Sequence, residues 1–289
     1  MIKVSIIILS WNTQNLLRDC LKSLQDLPSA GYEIIVIDNA STDGSAGMVV
    51  REFPEVRLTR NKKNLGFAAG NNQGINLSNG KLVLFLNSDT LVQERSVEKL
   101  TQFIEENNEV GAVAPLLFNE DGSLQKDPCY LRFPSPLTVF LYYHKPLRNL
   151  TFKLFPSLLL SSTKFDKPVK VDQLPGAALM IRRNILKKIG GFDEKFPLYF
   201  EDTDLSFRVK KLGYKLVVVP ETKVIHLGRR SIQPIVEKEG LERFYFLNFR
   251  SLFWFCEKNY PAWKTLLIKM VVFSHLLRGL KLSLMRKLF

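Results

Sequence analysis

Glu33-Ile34-Ile35-Val36-Ile37-Asp38-Asn39-Ala40-Ser41-Thr42-Asp43-Gly44-Ser45 sets an unbroken β-branched run directly against a polar, turn-forming segment. A short continuous apolar run bounded by turn residues fits a strand buried on both faces, as in a parallel sheet. The same design precedes it at 3–10 (Lys-Val-Ser-Ile-Ile-Ile-Leu-Ser), before Trp11-Asn12, and follows it at 81–86 (Lys-Leu-Val-Leu-Phe-Leu), before Asn87-Ser88-Asp89. Between the runs lie helical patterns. Leu16, Leu17, Leu21, Leu24 and Leu27 repeat at helical spacing over 14–27, with Asn12 or Thr13 placed to cap. Helices are also expected at 45–53 and 71–78, and a short strand at 56–59. Strands alternating with helices predict an α/β fold with a mostly parallel, doubly wound sheet. Ligands bind such sheets beyond the carboxyl ends of the strands. The polar clusters at 10–12, 38–43 and 87–89 should therefore meet in space.

The second half is less regular. Residues 117–136 carry Gly122, Pro128, Pro134 and Pro136 and read as loops or a hairpin. Residues 137–160 are apolar and aromatic, but Lys145, Pro146, Arg148, Lys153 and Pro156 interrupt them too often for a spanning helix. Order returns at 171–182. Helices are expected at 183–189 and 202–212, a strand at 215–219, and a largely helical chain from 241 onward.

At 46% hydrophobic and 24% charged, the 289 residues suit an ordinary packed core rather than disorder. The net charge of +13 is uneven: residues 1–135 carry −3 and residues 136–289 carry +16. That asymmetry points to an anionic partner for the second half, or to a solvated basic surface. No helix-turn-helix, finger or RNA-binding signature accompanies the charge, so nucleic acid is not expected. No G-x-G-x-x-G follows the first strand, which disfavours a nicotinamide-dependent dehydrogenase. Cys20, Cys129 and Cys256 are few and far apart, which predicts neither a disulfide framework nor a cysteine zinc site and suits a reducing, cytoplasmic setting. The N-terminus has no signal-peptide pattern.

Four clusters carry chemistry. Asp38, just past a buried strand, can accept hydrogen bonds from a ribose hydroxyl or a base N–H. Asp43 suits either that task or a turn into a helix. Asp89 ends the most apolar strand, where its carboxylate can hold Mg²⁺ or Mn²⁺ against diphosphate oxygens or cap a following helix. Glu201-Asp202-Thr203-Asp204 puts three acids at a helix start. They serve the helix dipole, or they fix a general base, and Asp204 can pair with Arg208 at i+4. His226 follows a strand and is either structural or a neutral nitrogen ligand to the cation on Asp89.

In this order the clusters resemble family 2 of the inverting glycosyltransferases, with the GT-A fold, and especially its rhamnosyltransferase-like branch. The matching stretches are Val4-Ser5-Ile6-Ile7-Ile8 to Trp11-Asn12, Val36 to Ser45, Asn64-Leu65-Gly66-Phe67-Ala68-Ala69-Gly70-Asn71-Asn72, Leu84 to Asp89, Pro175-Gly176-Ala177-Ala178, and Gly191-Phe192-Asp193-Glu194 leading to Phe200-Glu201-Asp202-Thr203-Asp204-Leu205. The resemblance implies that Ser10, Asn12 and Asp38 hold the nucleoside, and that Asn64 and Gly66 lie against the nucleotide or donor sugar. It places Asn87-Ser88-Asp89 where many members have Asp-X-Asp. Asn87 replaces the first acid, so Asp89 is left as the main metal carboxylate, with His226 a metal or diphosphate contact. Asp202, beside Glu201, matches the general base.

The implied activity is transfer of a sugar from a nucleotide diphosphate, dTDP-rhamnose or a UDP-hexose, to an acceptor hydroxyl with inversion. The implied acceptor is a saccharide, a lipid-linked or cell-surface precursor, for polysaccharide biosynthesis. The competing expectation is a catalytically silent sugar-nucleotide-binding or scaffold protein of the same fold. The expected domains are a catalytic one over 1–230, divided into a nucleotide-sugar half (1–115) and an acceptor and base half (116–230), and a basic, apolar helical extension over 231–289. Residues 258–289 hold seven Lys or Arg and no acid. That segment can lie on the inner face of the cell membrane, or pack on the catalytic domain or a second subunit in a homo-oligomer.

Overall fold

The apolar runs fold, in a computed structural model, into one sheet with helices on both faces. The structure describes residues 2–27, 31–125, 132–143, 166–228, 233–279 and 281–289. Cys129 and all of the interrupted apolar segment after residue 143 lie outside the described residues. The strands are β1 (Val4–Ser10), β2 (Tyr32–Asp38), β3 (Arg57–Arg60), β4 (Leu82–Asn87), β5 (Thr90–Val92), β6 (Val110–Phe118), β7 (Val169–Val171), β8 (Ala178–Arg182) and β9 (Lys215–His226). The helices are α1 (Gln14–Lys22), α2 (Ser45–Glu52), α3 (Gly66–Leu77), α4 (Ser96–Glu106), α5 (Pro136–Tyr143), α6 (Arg183–Ile189), α7 (Glu201–Lys211), α8 (Gln233–Asn259), α9 (Ala262–Arg278) and α10 (Leu282–Leu288).

The strand order is β3-β2-β1-β4-β8-β6-β9-β5, with β7 beside β9. From β3 to β4 every pairing is parallel, as the alternation of strands and helices predicts. Beyond β4 the sheet is mixed, because β8 enters antiparallel to both β4 and β6. Strand side chains alternate between faces. Ile6 and Ile8 join α1, α2 and α4 in one apolar layer, while Ile7, Ile35 and Ile37 join α3, α6 and α7 in the other. Each central strand is thus apolar on both faces.

Three local expectations change. The first helix ends at Lys22 rather than Leu27, and the chain turns through 23–27. Thr13 makes no side-chain cap; the Gln14 N–H instead donates to Asp43 Oδ2 at 2.8 Å. Helix α3 starts at Gly66, five residues before the expected 71. It lies so close to β1 that a Cβ on Gly70 would come 2.3 Å from Leu9 Cδ1, and one on Gly74 would come 2.4 Å from Ile7 Cγ2. Only hydrogen at those two positions permits the approach.

The C-terminal helices build a third apolar cluster. Phe249, Phe253, Phe255, Ile268, Val272, Leu276 and Leu284 pack there with Val139 of α5 and with Phe196, Phe200 and Phe207 near α7. α8 bends at Gly240, which has φ 80°. Polar anchors reinforce the docking. Lys258 lies 2.8 Å from Asp193 and 3.0 Å from Asp204, and Asn259 Nδ2 donates to Asp204 Oδ1 at 3.1 Å. Asp204 also pairs with Arg208 at 2.6 Å, the expected i+4 partner. Asp204 is fully buried, so truncating it would strand two cations at a partly dry junction. Asp204→Ala is expected to lower stability by about 3 kcal/mol in urea unfolding. A change within error would show that the anchor is dispensable.

Candidate active site

Register alone brings the first clusters together. In the parallel ladder Ser10 pairs with Asp38, and Leu9 pairs with Asn87, so the carboxyl ends of β1, β2 and β4 finish in line. Asp38 is 2% exposed; its Oδ2 accepts the Ser41 N–H at 3.2 Å, and its Oδ1 is buried with no partner. A buried, unsatisfied carboxylate oxygen at a crevice suits a ligand N–H or O–H. Ser10 is fully buried, and its hydroxyl meets Thr13 Oγ1 at 3.0 Å, which donates to Ser88 Oγ at 2.9 Å. These hydroxyls brace the loop after β1 against the 87–89 turn. Asn12 ties its loop to the next, since its Oδ1 accepts the Thr42 N–H at 2.7 Å and its own N–H donates to Ser41 Oγ at 2.9 Å. Asp43 does turn work: Oδ1 accepts the Ser45 N–H at 3.0 Å.

Asn64 and Gly66 form the entrance to α3. Asn64 Oδ1 accepts the Gly66 N–H at 2.8 Å and the Asn39 Nδ2 at 3.2 Å. Gly66 has φ 82°, where a side chain would strain the turn. Asn39 is buried, and its Oδ1 also accepts from Asn61 at 2.8 Å. It thereby locks the Asn64 loop to the end of β2.

Asn87-Ser88-Asp89 does not cap a helix, because β5 follows at once and the next helix begins at Ser96. β5 pairs antiparallel with β9, placing Thr90 opposite His226. His226 Nε2 then lies 3.4 Å from Asp89 Oδ1 and 3.4 Å from Asn87 Nδ2. Gln125 sets the imidazole. Its Nε2 donates to Asn119 Oδ1 at 3.0 Å and to the His226 carbonyl at 3.2 Å. Its Oε1 is left as the acceptor 2.9 Å from His226 Nδ1. In a neutral ring the proton therefore sits on Nδ1, and the Nε2 lone pair faces the Asp89 carboxylate. Two acceptors aimed at one space fit a cation between them, and a separation of 3.4 Å suits two ligands each about 2.1 Å from one ion. Among the described residues no group of three or more His, Cys, Asp or Glu is disposed to hold a metal. Diphosphate and water oxygens would have to fill the remaining positions, as Mg²⁺ sites commonly allow.

The second-half acids reach this edge through two backbone groups. Asp202 Oδ2 accepts the Gly176 N–H at 3.0 Å. The adjacent Ala177 carbonyl accepts the Asn87 N–H at 3.0 Å. Phe67 closes the other side: a Cβ on Gly176 would lie 3.3 Å from the Phe67 ring and 3.4 Å from Asp202 Cβ. Asp202 thus sits beside the 87–89 turn and the start of α3.

The two adjacent acids are not equivalent. Both residues keep some exposed surface, yet Glu201 Oε2 is buried without a partner. Burial, then the neighbouring Asp202 charge, pushes the Glu201 carboxyl up to about 8. Asp202 is also raised by burial, but the N–H groups of Gly176 and Thr203 counter it, the latter at 2.7 Å. Glu201 is the better proton holder and Asp202 the better carboxylate.

Gln125 was not singled out from the sequence; Thr13 was read there only as a cap, and Asn39 and Phe67 only as parts of quoted stretches, none of them as a site residue. Gln125 lies in a loop with no periodic or spacing signal, so only the fold reveals it.

The profile of Glycosyl transferase family 2 matches residues 5–190, and that of Glycosyl transferase family group 2 matches residues 155–284. The N-acetylglucosaminyl-diphospho-decaprenol L-rhamnosyltransferase of Mycobacterium tuberculosis is 29% identical over 223 residues, 71% of this chain and 70% of that protein. A probable glycosyltransferase of Bacillus subtilis, YdaM, is 28% identical over 229 residues, 75% of this chain but 49% of its own length. Among solved structures, a Pyrobaculum calidifontis mannosyltransferase in complex with GDP-Man and Mn²⁺ superposes with a TM-score of 0.59 at 20% identity, over 92% of this chain and 68% of that one. Staphylococcus aureus TarS 1–349 in complex with UDP gives 0.58 at 17%, over 95% and 72%. At those identities the superpositions show a shared GT-A architecture.

The acid pair gives a pH prediction. A carboxyl whose folded value is raised above its unfolded one keeps its proton in the native state while the unfolded chain ionises. Stability then falls as pH rises from the ordinary 4.5 of Glu201 towards about 8, and Asp202 acts in the same direction. Glu201→Gln should flatten this decline when urea midpoints are compared at about pH 5 and about pH 8. An equally steep decline in the variant would remove Glu201 as its source.

Proposed function

The chain belongs to glycosyl transferase family 2, and from that premise we propose that it is an inverting transferase with Asp202 as its general base. The observation that supports the proposal is the bridge Asp202–Gly176–Ala177–Asn87, which sets an oriented carboxylate next to the 87–89 turn. Asp38 would hold the nucleoside through its unpartnered Oδ1, with Ser10 and Asn12 shaping that loop, and Asn64 and Gly66 would border the donor sugar. Asp89 and His226 would hold a Mg²⁺ or Mn²⁺ ion, with Asn87 beside it; when bound, the ion neutralises charge on the departing diphosphate.

Asp202 takes the proton of an acceptor hydroxyl as that oxygen forms its bond to the anomeric carbon. The bond from that carbon to the diphosphate oxygen breaks on the opposite face, and its electron pair leaves with the diphosphate. One displacement inverts the centre and leaves Asp202 protonated. Burial and the neighbouring Asp202 charge favour the protonated form of Glu201, which adds no second negative charge beside the base. The rhamnosyltransferase relative favours dTDP-rhamnose as donor over a UDP-hexose, and a lipid-linked saccharide as acceptor in polysaccharide synthesis. Residues 1–230 would form the catalytic domain, with 231–289 as its helical extension. Cys20 and Cys256 are free and buried, which supports a reducing, cytoplasmic setting.

Nucleoside diphosphates should raise the melting temperature, and Mn²⁺ should add to the rise. Asp202→Asn should keep that rise while sugar transfer drops by about a hundredfold or more. Equal turnover by the variant would remove Asp202 as the base, and a wild type stabilised by nucleotides yet unable to transfer sugar would leave a sugar-nucleotide-binding role as the better reading. The product anomer, read by NMR, tests inversion directly.

A further inference from the structure

Helix α9 is apolar on two opposite faces. Its inner face, Thr265, Ile268, Val272 and Leu276, is buried in the C-terminal cluster. Its outer face carries Trp263, Leu266, Leu267, Met270, Phe273 and Leu277, each between 40% and 64% exposed. At about 100° per residue those six fall within an arc roughly 120° wide. The patch continues onto α10, where the exposed Phe289 ring lies 5.3 Å from Phe273. A contiguous apolar surface of this kind marks a contact site.

The cations, scattered in sequence, border this face. On the helical projection Lys264 and Arg278 fall on one side of the arc and Lys269 on the other. Lys264 lies over the Tyr260 ring at 3.4 Å and Lys269 over Phe253 at 5.3 Å, so both stems lie along apolar surface. Lys281, Arg286 and Lys287 on and beside α10 are exposed, and residues 258–289 contain no acid, although Glu257 pairs with Lys269 at 2.7 Å and Glu242 with Lys287 at 2.8 Å from outside the segment. Lysine is depleted in protein–protein interfaces, whereas a lipid interface favours cations at its polar level and Trp, Phe and Leu below it. No helix among the described residues is long and apolar enough to cross a membrane. α9, about 25 Å long at ~1.5 Å per residue, is suited to lying along a surface.

We propose that the outer face of α9, continued by α10, docks on an anionic phospholipid bilayer, with Trp263, Leu266, Met270 and Phe273 in the interface and the flanking cations among the headgroups. Docking needs neither donor nor acceptor and stands apart from the assignment of Asp202.

The test is sedimentation of the full chain with vesicles, comparing phosphatidylcholine containing phosphatidylglycerol with phosphatidylcholine alone. Wild type should bind the anionic vesicles, weaken as salt rises, and shift its tryptophan emission to the blue. The double variant Leu266→Glu, Met270→Glu should bind about tenfold more weakly or less. Both sites are exposed, so the fold should survive, and an unchanged circular dichroism melt checks this. Val50→Glu, on the exposed side of α2, should bind as wild type does. Trp263→Phe should lose most of the emission shift while still binding. Equal binding by the double variant and wild type would overturn the proposal. So would an absence of vesicle binding, including the case where wild type is a dimer that the double variant makes monomeric, which would assign the face to a second copy of the chain.

Discussion

Two successive peptide groups, those of Gly176 and Ala177, tie the halves of the site together. One gives its N–H to Asp202, and the other accepts the N–H of Asn87. Successive Cα atoms are about 3.8 Å apart, so the link cannot stretch. A buried carboxylate without hydrogen bonds would be too costly to keep ionised. The Gly176 N–H therefore both positions Asp202 and favours its charge. The joint is close-packed: a Cβ at Gly176 would meet the Phe67 ring at 3.3 Å and reach contact distance of Asp202 Cβ at 3.4 Å. Where β8 enters antiparallel beside β4, its first residues necessarily lie at the carboxyl end of β4, which is why this joint forms at the ligand edge.

The same edge depends on how closely α3 approaches the sheet. Gly70 and Gly74 are one helical turn apart and face Leu9 and Ile7. That contact sets the depth of the whole helix, and with it the position of Asn64, Gly66 and Phe67 at its start. Asn39 completes the constraint, since its side chain bonds the 61–66 loop from the end of β2. The loop after β2, the loop before α3 and the Asp202 carboxylate are thus fixed by backbone register and two glycines, with few contacts among the candidate site side chains themselves.

The central strands were legible because burial on both faces leaves an unmistakable apolar run in β1, β2 and β4. Their polar ends were legible for the same reason, since Asp38 and Asp89 break those runs abruptly. β6 was not, although Val110–Phe118 is almost wholly buried, because Gly111 and Pro115 break its pattern and its parallel partner β9 is a hundred residues distant in the chain. The turn at 87–89 could equally have capped a helix; the pairing of β5 with β9, a long-range event, decides otherwise. Gln125 illustrates a further limit. Its importance lies in which of its amide atoms meets His226, and no local pattern encodes that.

Three acids in four residues looked like one feature in the sequence, yet helical geometry sends them to three tasks. Successive residues on a helix diverge by about 100°, so neighbours cannot share a partner surface. Glu201 has one carboxyl oxygen, Oε2, buried without a partner, and favours its proton. Asp202 turns to Gly176. Asp204 turns the other way, to Arg208, Lys258 and Asn259. Because Lys258 and Asn259 end α8, the same turn of α7 that presents Asp202 also anchors the C-terminal helices. A displacement of those helices that breaks the Lys258 and Asn259 contacts would leave Asp204 buried with Arg208 alone. The resulting cost falls on the helix start that orients Asp202, so the C-terminal helices and the Asp202 position are linked through one carboxylate.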